Sequence, residues 1–181
     1  MDNNKVPKYP VQTVEKALEI IELLTGNQYK DGISISELSK ELGLGKSTVH
    51  RIIETMEAKS YISQDEETKK YQLSWKLFEL GNSIPRRRNL FNMDTSLLQE
   101  LCDRFQETVN MGVKVDSSVV TINKINPTTS LIANLQIGTR EALYATAMGK
   151  ALISEMTREE IIKIIGEGPY EQYTSKTISS I

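Results

Sequence analysis

With 181 residues and a formal charge of −2, the chain has room for one large domain or two small ones, and it is not a basic protein that coats nucleic acid over its whole surface. Cys102 is the only cysteine and His50 the only histidine, which excludes an intrachain disulfide and a four-ligand zinc site built from Cys and His. The opening residues MDNNKVPKYP lack an apolar run after their charges, and no later stretch has the apolar length of a membrane helix, so a reducing, cytoplasmic setting with no membrane partner is expected.

After Pro10, Val11, Val14, Leu18 and Ile21 recur at three- and four-residue spacing, with Ala17, Ile20 and Leu24 widening the same face. This pattern predicts an amphipathic helix over residues 11–24, ended by the polar connector GNQYKDG. Residues 33–61 follow, and the rest of the chain is organised around them. Ser34 and Glu37 have the spacing of a reciprocal helix cap, so a second helix is expected from about Ile35, with Ile35, Leu38 and Leu42 as its apolar stripe. Gly43 and Gly45 supply a tight turn, and Leu44 between them plugs the gap between two crossing helices.

A third helix restarts near Lys46. At roughly 100° per residue, Val49, Ile52, Ile53 and Met56 fall in one narrow sector and form its buried face. Ser47, Arg51 and Glu54 lie opposite, with Thr48 and His50 on the flanks. An exposed face of donors and acceptors suits a DNA major groove: Arg51 can grip a guanine edge, Ser47 and Thr48 can meet bases or phosphates, and Lys46 can neutralise a phosphate. Beyond it, residues 61–64 and 71–73 are β-prone runs around the charged turn 65–70, which predicts a hairpin wing with Lys69 and Lys70 near a phosphate backbone.

Trp75, Leu77, Phe78 and Leu80 form an apolar cluster before Gly81, and Pro85 with Arg86, Arg87 and Arg88 is expected to interrupt the pattern and mark a boundary. A cluster of that size calls for cover, either by the first domain or by a second copy of it. Three segments are therefore expected: a DNA-binding domain at 1–74, a linker at 75–93 and a second domain at 94–181. The last opens with caps at 94–96 before a helix bearing Leu97, Leu98, Leu101, Phe105 and Val109, with Cys102 on its apolar side as packing. A hairpin of 111–115 and 119–125, a third strand over 130–136, a turn at 138–141 and an extended run over 143–146 make an antiparallel sheet. A helix then starts near Met148, and Thr157 with Glu160 caps a final one through Ile165, stopped by Gly166, Gly168 and Pro169.

Two motifs carry a resemblance. Residues 44–53, LGKSTVHRII, followed by a wing, are similar to the recognition helix of the IclR family of bacterial transcriptional regulators; residues 145–153, ATAMGKALI, resemble the segment that opens a helix in that family's effector-binding domain. The resemblance implies an α+β protein: an N-terminal winged helix-turn-helix joined by a linker helix to a GAF/profilin-like α/β effector-binding domain. It also implies a homodimer or homotetramer on a palindromic double-stranded DNA operator, repressing or activating a catabolic operon, with repression the expected sign, under control of a small metabolite such as an organic acid or aromatic compound; no cofactor is expected. Carried across, DNA reading falls on Lys46, Ser47, Thr48, His50 and Arg51, and effector binding around Ala147, Met148 and Gly149.

Helix-start N–H groups after Ala147 suit a carboxylate, Gly149 would let a ligand approach the backbone, and Leu131, Ala133 and Leu143 would line an apolar wall. The family usually continues some way past its counterpart of YTSKTISS, so the effector-binding part is expected to be incomplete, with an effector-insensitive DNA-binding form as one alternative. A winged-helix module that binds protein is another, disfavoured by the polar outer face of the third helix. No catalytic constellation is present: His50 sits on the DNA-facing helix, Asp116 is read as a turn residue, and Glu159 and Glu160 as an exposed helix face.

Overall fold

The computed structural model describes residues 7–87, 95–128 and 136–181, which fall into two compact units, 7–87 and 95–181. The first holds α1 (Gln12–Leu24), a single 3-10 turn (Asn27–Tyr29), α2 (Ile35–Glu41), α3 (Lys46–Ala58), the hairpin of β1 (Ile62–Gln64) and β2 (Tyr71–Leu73), and α4 (Trp75–Arg87). Its core joins Ile20 and Leu24 of α1 to Leu38 of α2, to Val49, Ile52, Ile53 and Met56 of α3, and to Ile62 and Tyr71 of the hairpin. Each buried aliphatic side chain there contributes about 1.5–3 kcal/mol against the entropy of ordering the chain.

The α2 cap forms as its spacing requires. The Ser34 hydroxyl accepts from the Glu37 N–H at 3.3 Å, and the Glu37 carboxylate accepts from the Ser34 N–H at 2.8 Å. The carboxylate also accepts from the Ser34 hydroxyl at 2.7 Å, and the two bonds it accepts, first that from the N–H and then that from the hydroxyl, hold the Glu37 carboxyl below its usual range. Their contribution is thus present above ordinary glutamate pH and is lost as pH falls through the lowered value. Gly43 takes the turn with φ 63°, a left-handed conformation that a side chain would oppose.

Two expectations need correction. On α1 the stripe Val11, Val14 and Leu18 faces outward, and Ile20 and Leu24 are the buried pair. The apolar arc of this helix is wider than α2, α3 and the hairpin can cover. At the linker, Pro85 does not interrupt the helix but lies inside the last turn of α4. The carbonyl that loses its partner there belongs to Gly81, and a proline so near a helix end removes one bond and leaves the turns before it intact.

The second unit comprises α5 (Ser96–Phe105), β3 (Val109–Val115), β4 (Ser118–Ile125), β5 (Arg140–Ala142), α6 (Ala147–Ile153) and α7 (Arg158–Ile165), with the antiparallel strand order β3-β4-β5. Gln106, with φ 53°, ends α5 before Val109, which opens β3 instead of extending the helix. Leu97 and Phe105 are exposed, and Cys102 is the buried residue of α5, 3.9 Å from the Ile125 carbonyl. The third strand expected over 130–136 lies, but for Gln136, outside the described residues, as do Asp94, Leu131 and Ala133. The next extended run comes earlier than 143–146, at Arg140–Ala142, because Gly138 turns the chain back onto β4: its N–H donates to the Thr121 carbonyl at 2.8 Å. Leu143 then leaves the sheet as a fully buried turn residue.

Val119, Leu143 and Ile153 form the buried centre of this unit, with Met148, Ile161 and Ile164 packed around them. Gly149 lets α6 sit directly on the turn below, since a Cβ there would stand 2.2 Å from the Leu143 carbonyl oxygen. Gly149→Ala is therefore expected to destabilise this unit by about 3 kcal/mol, as an overpacked site whose neighbour is backbone. Urea denaturation with a change under a third of that would show that α6 is free to shift away.

Candidate nucleic-acid interface and effector region

Val49, Ile52, Ile53 and Met56 anchor α3, and the face they leave outward carries Lys46, Ser47, Thr48, His50 and Arg51, all exposed and all within its first turn and a half. Gly45 precedes the helix without a side-chain cap, so its first N–H groups and the Lys46 ammonium together make an electropositive end suited to phosphate. His50 lies 3.9 Å from the Glu54 carboxylate along the exposed side, and the Thr55 hydroxyl donates to the Arg51 carbonyl at 2.8 Å.

The wing turn is held from within. Asp65 accepts from the N–H and the hydroxyl of Thr68, each at 2.7 Å, bonds that hold its carboxyl below the usual range, the hydroxyl contributing most. The Asp65 N–H donates to the Lys70 carbonyl, and Gln64 donates to the Lys69 carbonyl. Lys69 takes a left-handed φ of 57° and is exposed, whereas Lys70 is half-buried. Of the two, Lys69 is the better presented to a phosphate backbone.

The flanks of α3 differ in a way the sequence pattern did not separate. Thr48, Arg51 and Thr55 border an apolar cleft of about 480 Å³ that α3 forms with Val14, Ala17, Leu18 and Ile21 of α1, and Ser47, His50 and Glu54 do not. Arg51 thus stands at the edge of both the polar face and this cleft.

In the second unit the segment expected to bind an effector is tied down more than anticipated. Thr146 caps α6 by accepting from the Gly149 N–H at 3.0 Å, and its carbonyl takes the Lys150 N–H, so of the N–H groups at the helix start these two are already engaged. The space at Gly149 is filled by the Leu143 backbone and not by a ligand path. Ala147 is exposed, and Met148 turns onto the sheet, where its sulfur would lie 3.2 Å from a Cβ added at Gly112.

Beside that contact are two residues absent from the sequence-based set. Gly112 pairs with Thr121 across the β3–β4 ladder, and Asn110 lies two residues along β3 on the same face. The Thr121 hydroxyl and the Asn110 carbonyl oxygen are buried with no hydrogen-bond partner among the described residues. Polar residues at inward strand positions were the available signal. The register shift between Met111 and Gly112 hid which positions face inward.

Among the described residues no group of three or more His, Cys, Asp and Glu is placed to hold a metal ion, and no helix is long and apolar enough to cross a membrane. The Tyr144 ring stacks 4.5 Å from that of Tyr170 and 6.4 Å from that of Tyr173, and the Tyr173 phenol is pushed up to about 12, chiefly by its hydrogen bond with Tyr144.

Residues 13–66 match the family model for the IclR helix-turn-helix domain, and residues 83–181 match that for the bacterial transcriptional regulator IclR C-terminal region. The chain is 34% identical over 180 residues to the HTH-type transcriptional regulator KdgR of Escherichia coli K12, covering 99% of this chain and 68% of that one. To KdgR of Dickeya chrysanthemi it is 33% identical, covering 93% of this chain and 55% of the relative. Among solved structures, IclR of Thermotoga maritima superposes with a TM-score of 0.73 at 24% identity, over 94% of this chain and 68% of that chain, a likeness of fold.

An unsatisfied buried hydroxyl costs free energy that an isosteric methyl does not. Thr121→Val is accordingly expected to raise the stability of the ligand-free chain by about 1 kcal/mol, read by chemical denaturation. A loss of stability of that size would show that the hydroxyl is already hydrogen-bonded.

Proposed function

Because the chain belongs to the IclR family of bacterial transcriptional regulators, we propose that it acts in the cytoplasm as a homodimer or homotetramer that reads a palindromic operator, represses a catabolic operon and answers to a small organic acid or aromatic metabolite. In this reading residues 1–74 are the DNA-binding domain, 75–93 the linker and 94–181 the effector-binding part. The observation that carries it is the division of α3: four apolar residues buried on one face, and Lys46, Ser47, Thr48, His50 and Arg51 exposed on the other beside a wing that presents Lys69.

For the effector, Met148 on α6 and Leu143 below it supply apolar contact, and the Thr121 hydroxyl and Asn110 amide oxygen, without a partner among the described residues, supply polar contact. Ala147, exposed at the start of α6, is included as the neighbour of Met148. Gly149 acts through packing, by seating α6, and Leu131 keeps its place in the proposal from sequence alone, since it lies outside the described residues.

Operator binding is the direct test. Purified protein is expected to select an inverted repeat from a random duplex pool, with affinity that falls steeply as salt rises because phosphate neutralisation releases counterions. Arg51→Ala is expected to cost about 1–3 kcal/mol on the selected repeat and to relax preference at one base pair, while Lys69→Ala weakens all sequences alike. Equal losses on selected and random DNA for Arg51→Ala would reduce that residue to a phosphate contact, and salt-insensitive binding would count against DNA reading altogether.

A further inference from the structure

The second unit holds a cavity of about 470 Å³ that lies apart from the effector region: Asn110, Thr121, Leu143 and Met148 do not border it. It runs along β5, the outer strand of the order β3-β4-β5, beside the turn that joins β3 to β4. Donors line one part of it. The Ser117 and Ser118 hydroxyls and the Arg140 guanidinium border the cavity, and none of the three has a hydrogen-bond or ionic partner among the described residues. Glu141, the next residue of β5, borders the same space and is likewise without an ionic partner among them.

Two opposite charges thus flank one cavity without neutralising each other. Successive side chains of a strand point to opposite faces, which keeps Arg140 and Glu141 apart. The remaining wall is aromatic and aliphatic. Tyr144 donates its hydroxyl to the Glu171 carbonyl at 3.1 Å, and the Tyr173 phenol is hydrogen-bonded in turn to Tyr144, which keeps it uncharged at neutral pH. The two rings stack 6.4 Å apart, and Ile165, the last residue of α7, lies beside them.

We propose that this cavity is a second small-molecule site, and that it takes a free α-amino acid with an apolar or aromatic side chain. The carboxylate lies against Arg140 and the two serine hydroxyls, since a guanidinium and hydroxyl donors together match two carboxylate oxygens. The ammonium lies against Glu141, and the side chain against Tyr144, Tyr173 and Ile165. Charge decides among ligand classes. A purely anionic ligand would meet the Glu141 carboxylate, and a simple amine would meet the Arg140 guanidinium; a zwitterion satisfies both and escapes both repulsions. The volume is in the ordinary range of small-molecule sites, roughly 300–1,000 Å³. This inference does not depend on the operator-reading function.

The test is titration calorimetry of the full 181-residue chain with L-phenylalanine. Binding at one site is expected, with L-phenylalanine amide and N-acetyl-L-phenylalanine each weaker by roughly tenfold or more, because one lacks the carboxylate and the other the ammonium. Arg140→Ala is expected to weaken L-phenylalanine by a similar factor with unchanged circular dichroism. Arg158→Ala, an exposed arginine on α7 outside the cavity, is expected to leave the affinity unchanged. Glu141→Gln should remove the preference over the N-acetyl compound and keep the preference over the amide. The proposal is overturned by absence of binding at millimolar L-phenylalanine, by equal binding of the three compounds, or by full affinity in Arg140→Ala. A preference over the N-acetyl compound that survives Glu141→Gln overturns it as well, and so does a loss in Arg158→Ala equal to that in Arg140→Ala, which would reduce the effect to overall charge.

Discussion

Ile33 and Tyr71 exchange backbone hydrogen bonds in both directions, N–H to carbonyl at 3.0 Å and 2.8 Å, and much of the first unit depends on that pair. Ile33 is fully buried, and a backbone placed in a core must have its polar groups satisfied there. Its partner is the first residue of β2, so the wing is held to the helix pair as part of the core. The chain passes from this bridge straight into the Ser34 cap, which sets the start of α2 and, through the Gly43 turn, the entry into α3. The position of Lys69 relative to the exposed face of α3 is thus tied to two hydrogen bonds made by Tyr71, two residues along the chain from it.

What the sequence disclosed here was local in origin. Ser34 with Glu37 and Thr157 with Glu160 cap their helices through contacts three residues apart, and Val49, Ile52, Ile53 and Met56 are buried on the face their period indicates. What it did not disclose depends on the amount of cover available. The apolar arc on α1 is continuous in sequence, yet only the part around Ile20 and Leu24 meets another element of the unit. Pro85 read as a break because proline removes a hydrogen bond, but a helix in its last turn has few left to lose. Gly149 read as room for a ligand, and only the fold shows the Leu143 backbone in that room.

The effector region shows the same limit in a sheet. Asn110 and Thr121 lie on different strands, and their common face follows from the Gly112–Thr121 pairing, which a register shift one residue away obscures in the pattern. Their oxygens have no hydrogen-bond partner among the described residues, and beside them Val119 and Met148 close in on Gly112. A ligand hydroxyl or ammonium, or a water, would satisfy the Asn110 amide oxygen, and the Thr121 hydroxyl can either accept from such a group or donate to an anion.

Arg51 belongs to two surfaces of α3 at once. Its side chain borders the apolar cleft along with Thr48 and Thr55, while its position on the helix turns it toward the polar face. A long, flexible side chain that must make two hydrogen bonds to a base loses rotamer freedom on doing so, a cost of up to ~2 kcal/mol. If the cleft is filled by a helix, the methylene stem of Arg51 gains a wall to lie against and part of that freedom is lost before DNA arrives. Filling the cleft would then favour reading by restraining the arginine at its edge. Coupling of this kind requires no movement of α3, only a neighbour for the residue at its edge.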